Sequence, residues 1–323
     1  ALALAGWGVW SLVLAALVGT VIQAGLGLLL VGYWPRMRFR WQLISSTWKA
    51  SGSYFGGGVL FYTNSNVDLI LVGRSFGASG LGLYQTARGL SDEIRARIAV
   101  PLQNVLFPAF SSVQRDIPAA QQLFLRAGRI IAAVVIPVGV LMAVLSHELV
   151  LVLYGPKWID MVPLVAVFGI GGAIRASMGI AIPVITAWNQ LVRSLRYQVV
   201  GTLLTVTSIL FALPLGLKWV AVGIVLVSLY SLAPYTYALK LLQLSWWRGV
   251  RVLILPAAAA TVSAGCVLLA RAATEAALPG PGTALLTLGA VGVASYAATL
   301  LVIGPEYRRE LLPLMRQMLK RRA

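Results

Sequence analysis

The residues from Lys49 to Ser112 read KASGSYFGGGVLFYTNSNVDLILVGRSFGASGLGLYQTARGLSDEIRARIAVPLQNVLFPAFSS. Two long apolar segments meet at the corner Gly77-Ala78-Ser79-Gly80, and each carries groups that lipid-facing helices avoid. Asn64, Asn66 and Asp68 lie in the first segment; Arg88, Asp92, Glu93, Arg95 and Arg97 lie in the second. Polar and charged side chains are costly at membrane depth and tend to face a bundle interior or a water-filled cavity, so these residues are functional-site candidates.

The rest of the chain repeats the apolar half of this pattern. Of 323 residues, 59% are hydrophobic and 11% charged, whereas a soluble domain carries about 25% charge. Runs long enough to cross a ~30 Å hydrocarbon core recur from end to end, and the ~10-residue alternation of a membrane β-barrel is absent. The expected fold is an all-α polytopic membrane protein of about nine transmembrane helices plus the tail of another. Residues 1–6 form that tail, and the spans lie near 9–32, 51–75, 81–110, 130–153, 162–186, 197–217, 219–243, 252–271 and 283–304. The chain opens at Ala1 inside an apolar run, without Met or a charged signal-peptide front, and we expect further sequence upstream.

The net charge of +17 raises the question of nucleic acid, but its placement points to the membrane. Alternate connections carry Arg36, Arg38, Arg40 and Lys49; Arg115, Arg126 and Arg129; Arg193 and Arg196; Lys240, Arg248 and Arg251; and the tail beyond residue 305. Those connections hold 18 basic residues, whereas the intervening ones hold Lys157, Lys218 and Arg271. The positive-inside rule therefore places the C-terminus in the cytoplasm, against anionic inner-leaflet lipid. No nucleic-acid partner is expected.

Five basic residues escape this rule: Arg74, Arg88, Arg95, Arg97 and Arg175. Arg88, Asp92 and Arg95 share one helix face at i, i+4 and i+7, while Glu93 and Arg97 pair at i, i+4 on roughly the opposite one. Arg175 sits mid-span in GIGGAIRASMGIAIP. The planar guanidinium fork suits phosphate, so Arg88, Arg95, Arg175 and Arg74 are candidates to line a cationic cavity for an anionic substrate. The other reading is internal ion pairing that fixes helix register. Asn64 and Asp68 also share a face, and with Asp92 and Glu93 they are candidates for ion coupling or for structural hydrogen bonds and ion pairs. His147 and Glu148 read as interfacial, and Pro101, Pro108, Pro137, Pro183 and Pro234 as kinks or hinges.

Lone Cys266 and lone His147 leave no intrachain disulfide and no Cys-based metal site, and they argue against Ser/His or Cys/His catalysis. There is no P-loop and no acidic pair in an outer connection. The chain therefore reads as a non-enzyme without a cofactor.

Several segments together resemble the polysaccharide-transporter (Wzx-like) branch of the multidrug/oligosaccharidyl-lipid/polysaccharide flippase superfamily. They are GWGVWSLV at 6–13, YTNSNVDLILVGRSFGASGLGLYQTARGL at 62–90, PLQNVLFPAFSSVQRD at 101–116 and LYGPKW at 153–158. The resemblance covers residues 6–190 and loosens toward the C-terminus. It implies two six-helix lobes around a central cavity, often followed by two extra helices, as in MATE-like transporters. On that plan residues 1–33 would close the N-terminal lobe, with the tail of its fifth helix and its sixth helix. Residues 34–243 would form the C-terminal lobe, 244–304 the two additional helices, and 305–323 a basic amphipathic tail on the cytoplasmic surface. Most of the first lobe would lie outside this sequence.

The implied activity is flipping of undecaprenyl-pyrophosphate-linked oligosaccharide, a lipopolysaccharide, exopolysaccharide or capsule precursor, across a bacterial inner membrane by alternating access. The implied partners are the polyprenyl-pyrophosphate-linked glycan, membrane lipids and polysaccharide polymerase or assembly proteins. Two rival readings stay open. A MATE-like extruder of drugs or cations predicts a cavity dominated by Asp and Glu, whereas arginine outnumbers acid in these spans. A non-transporting subunit of a polysaccharide assembly complex predicts stable association without flipping.

Overall fold

The computed structural model describes residues 6–8, 10–32, 41–274 and 280–308, with backbone alone at 12, 31, 41–61, 63–65 and 94. The basic connection at 36–40 and the tail from 309 lie outside these residues. Every regular element among the described residues is helical. The chain divides into two units, 1–61 and 62–323.

In the first unit, α1 (Trp10–Val31) carries no charged residue. Leu17, Val21, Leu26 and Leu29 are all exposed, as expected of a helix whose solvent is lipid. α2 (Trp41–Ile94) starts in this unit and continues into the second. It is already helical at Lys49, which the charge pattern had placed in a connection.

The break that the Gly-rich corner predicts in α2 falls at Gly77, with φ 68° and ψ −171°. A side chain is disfavoured there because Cβ would crowd the neighbouring carbonyls. The break divides α2 into two limbs. The second limb runs on into a π-helical turn, Arg95–Ala99, and then α3 (Val100–Ser112). Pro101 explains the π turn: it offers no N–H to the carbonyl of Arg97 and its ring crowds that carbonyl, so the preceding turn widens.

Beyond a connection at 113–116, Asp116 caps α4 (Ile117–Val144) by accepting from the Ala119 N–H at 3.0 Å. The remaining helices are α5 (Ser146–Leu153), α6 (Val162–Met178), α7 (Ala181–Ala187), α8 (Leu191–Ala212), α9 (Leu217–Ser228), α10 (Leu232–Leu241), α11 (Trp246–Thr274) and α12 (Pro281–Ile303). Three expected spans are each two helices end to end. They break at Leu145, at Gly179–Ile180 ahead of Pro183, and at 229–231 ahead of Pro234. Seven helical runs among the described residues are long and apolar enough to cross a membrane; α2 is not one of them. Its Gly, Asn and charged residues stand where the other spans carry aliphatic side chains.

In the second unit α4 packs against both α6 and α11. Gly139 on α4 meets Gly169 and Ala173 on α6, and these small residues bring the two backbones close. One apolar cluster gathers Phe110, Phe124, Ile131, Ile180 and Tyr235. A second gathers Val72, Tyr84, Met161, Phe168 and Ile209. Buried hydroxyls tie in the last two helices: Tyr296 donates to Ala133 O at 2.8 Å, and Ser263 donates to Gly292 O at 2.6 Å.

Candidate functional site

The site is built where the two limbs of α2 fold back on each other. A continuous helix would hold residues 68 and 88 about 30 Å apart. Instead, Arg88 Nη1 reaches Asp68 Oδ2 at 2.5 Å. Tyr84 donates its hydroxyl to the same oxygen at 2.7 Å. On the second limb, Asp92 bridges two arginines, with Oδ2 3.2 Å from Arg88 Nε and Oδ1 3.6 Å from Arg95 Nε. Side-chain exposure rises along this row, from 8% at Asp68 through 19% at Arg88 and 33% at Asp92 to 47% at Arg95. The row thus runs from a locked interior end to an open one.

Packing beneath the row holds it to α6. Phe168 stands edge-on to Tyr84 at 5.2 Å between ring centroids. The Ser91 hydroxyl donates to Phe168 O at 2.8 Å. Gly172 makes room for this bond, because a Cβ there would overlap Ser91 Oγ.

One turn from that contact α6 carries Arg175, three residues past Gly172. Its Nε is buried with no hydrogen-bond partner, and no carboxylate among the described residues lies within ion-pair distance of it. It interacts electrostatically with Asp92, Arg88 and Arg95. Three arginines and two aspartates leave this cluster with an excess of positive charge. The structure therefore brings together Asp68, Arg88, Asp92, Arg95 and Arg175 from the residues that the sequence singled out.

Other residues stand apart. Glu93 and Arg97 form a 2.7 Å pair with exposures of 62% and 81%. Arg74 is exposed near the Gly77 corner. The side chain of Asn64 lies outside the described residues; Asn66 donates to Tyr62 O at 2.8 Å. Tyr84 was not among the sequence candidates, although its i, i+4 spacing to Arg88 places it on the same face. Glu148 and Arg271, read separately from sequence as interfacial and loop residues, form a 2.7 Å ion pair beside a cavity of about 350 Å³ that His147, Pro281 and Leu288 also line. That cavity is away from the arginine cluster. No group of His, Cys, Asp or Glu among the described residues is arranged to hold a metal ion.

The exposed faces differ in chemistry. On the second limb of α2 Gln85, Gly89 and Glu93 are exposed, and on the π-helical turn that follows Arg95, Ala96 and Arg97 are exposed. On α8 the exposed residues include Leu195, Val199, Leu203, Leu210 and Phe211. The α8 face suits acyl chains, and the α2 face suits water.

The sequence pattern of a family described as polysaccharide biosynthesis protein matches residues 1–163, half of the chain. The chain belongs to the polysaccharide biosynthesis protein family. Among curated relatives, the lipopolysaccharide biosynthesis protein WzxC of Escherichia coli (strain K12) is 25% identical over 173 residues, 52% of this chain and 35% of that protein. The succinoglycan biosynthesis transport protein ExoT of Rhizobium meliloti (strain 1021) is 23% identical over 190 residues, 58% of this chain and 38% of that protein. The teichuronic acid biosynthesis protein TuaB of Bacillus subtilis (strain 168) is 29% identical over 114 residues, 35% of this chain and 24% of that protein. The matches thus span less than two fifths of the length of these relatives.

Among solved structures, the lipid II flippase MurJ in its inward closed conformation matches with a TM-score of 0.65 at 15% identity, over 85% of this chain and 57% of that one. That likeness is one of fold. With seven helical runs among the described residues long and apolar enough to cross a membrane, this family member is a multi-pass, all-α membrane protein with a MurJ-like fold, in agreement with the Wzx-like resemblance of its sequence.

Proposed function

We propose that this chain forms the C-terminal lobe and the two following helices of a flippase. On this reading it moves a polyprenyl-pyrophosphate-linked oligosaccharide across a bacterial inner membrane by alternating access. Residues 1–33 then close the N-terminal lobe, 34–243 form the C-terminal lobe, 244–304 are the additional pair, and 305–323 lie on the cytoplasmic surface.

The observation that carries the proposal is the cluster of Arg88, Arg95 and Arg175, with exposed Gln85, Glu93 and Arg97 beside it, whereas the exposed positions along α8 beyond Gln198 are mostly apolar. Such a surface lines a water-filled cavity. There Arg95 and Arg175 receive the pyrophosphate, Arg88 is held in place by Asp68, and Arg74 stands nearer the Gly77 end of the path. The polyprenyl tail stays in the bilayer while the headgroup crosses. The names of WzxC, ExoT and MurJ, each attached to lipopolysaccharide, succinoglycan transport or lipid II flipping, support this substrate class. The C-terminal cytoplasmic placement follows from the distribution of Lys and Arg. Association with a polymerase or other assembly proteins is part of the same proposal.

The test is export of the glycan by cells carrying Arg95→Ala together with Arg175→Ala. Export is expected to be lost while the protein still inserts in the membrane. Unchanged export would remove these arginines from the transport path.

A further inference from the structure

Asp68 and Asp92 hold their arginines in different ways. Asp68 takes both Arg88 and the Tyr84 hydroxyl on one oxygen, at the closed end of the row. Asp92 spreads its two oxygens over two guanidinium groups at 3.2 and 3.6 Å. Strong charge-assisted bonds between such groups run about 2.7–2.9 Å, so the Asp92 contacts are loose. Its side chain is 33% exposed, and its partner Arg95 is 47% exposed. Arg175 feels the same carboxylate without being within ion-pair distance of any among the described residues.

We propose that Asp92 is a placeholder anion. With no ligand bound, its carboxylate compensates the arginines that a diphosphate would otherwise occupy. When a pyrophosphate-bearing headgroup arrives, its oxygens replace the Asp92 carboxylate against Arg95 and meet Arg175. Arg88 stays fastened to Asp68. This inference rests on the cationic-cavity reading of the site.

The physical reason for such a device lies in the two requirements on a carrier. Arginines left without a counter-ion in a partly buried site are strongly destabilising. A site that binds its cargo too tightly fails to let it go, as holds for any pathway through a membrane. A resident carboxylate meets both requirements. It supports the empty site, and its return helps to expel the cargo. A ligand must displace it first, which lowers the apparent affinity.

The experiment is titration of the purified membrane protein with inorganic pyrophosphate, comparing the unaltered chain, Asp92→Asn and Asp68→Asn. Loss of the competing charge in Asp92→Asn is expected to tighten binding about tenfold, equivalent to one loose charge-assisted contact. Asp68→Asn is expected to bind no more tightly than the unaltered chain. If the unaltered chain binds and Asp92→Asn binds no more tightly, the placeholder role is overturned and the cationic site stands. If neither binds, both are overturned.

A measurement on the unaltered chain covers a variant that fails to insert. With 13C-labelled aspartate, adding pyrophosphate is expected to shift a carboxylate stretch in the infrared difference spectrum, as Asp92 leaves Arg95. An unchanged spectrum at saturating pyrophosphate overturns the proposal.

Discussion

Asp68 and Arg88 are 20 residues apart in the chain and 2.5 Å apart in space. Their contact closes the hairpin that the Gly77 break opens. It also fixes the guanidinium from which the exposed half of the charged row extends. The Tyr84 hydroxyl on the same carboxylate oxygen makes the closed end a three-residue lock.

Breaking that lock at its anion is expected to destabilise the fold. Asp68→Asn leaves Arg88 with Asp92 and removes the charge at the buried end. The cost of an uncompensated buried ion is about 3–5 kcal/mol, and the remaining pair with Asp92 reduces the expectation to about 2 kcal/mol. The midpoint of thermal unfolding in detergent measures it. An unchanged midpoint would mean that the pair does not hold the hairpin.

Tyr84→Phe tests the third member. The ring keeps its edge-on contact with Phe168, so the change removes only a hydrogen bond to a charged acceptor. About 1.5 kcal/mol is expected to be lost, less than for Asp68→Asn. A loss equal to that of Asp68→Asn would show that Tyr84 and Asp68 act as one unit.

Gly77→Val places a β-branched side chain at φ 68°. Conformations of this kind cost on the order of 1–3 kcal/mol for residues other than glycine. Lower thermal stability and a lower yield of inserted protein are expected. Gly82→Ala on the second limb is the control, since nothing lies near the Cβ it would add. Equal behaviour of the two variants would remove the corner from the account.

At the other ion pair, Arg271 donates Nη2 both to Glu148 at 2.7 Å and to Val144 O at 2.9 Å. It thereby joins α11 to the α4–α5 junction. Arg271→Gln leaves Glu148, with 10% side-chain exposure, without its counter-ion, and about 3 kcal/mol of stability is expected to go. Adding Glu148→Gln is expected to restore part of it. A double-mutant cycle showing no coupling would mean that the pair contributes nothing to fastening α11.

The contrast between faces gives a fifth expectation. Arg97→Ala removes a cation paired, among the described residues, only with exposed Glu93, and such pairs contribute little. Stability is expected to stay where it was, whereas Arg175→Ala is expected to lower glycan export. Export and unfolding measured on the same two variants separate the roles. If Arg97→Ala abolishes export as fully as Arg175→Ala, the pathway runs along both faces.

The sequence by itself determined the class of protein. Long apolar runs with few charges have one stable solvent, lipid, and lipid forces the backbone into helices. Helical periodicity also placed Arg88, Asp92 and Arg95 on one face and paired Glu93 with Arg97, because both are relations within a single turn or two. The Gly77 corner was legible for the same reason, since its conformation is set by local sterics. Tertiary structure alone decided which charges meet across elements. Asp68 reaches Arg88 because the limbs fold back, Arg271 reaches Glu148 because α11 packs on α4, and Arg175 joins the cluster because small residues let α6 approach α2. Those contacts depend on the angles and depths at which helices pack, and these arise from the whole set of interlocking side chains rather than from spacing along the chain.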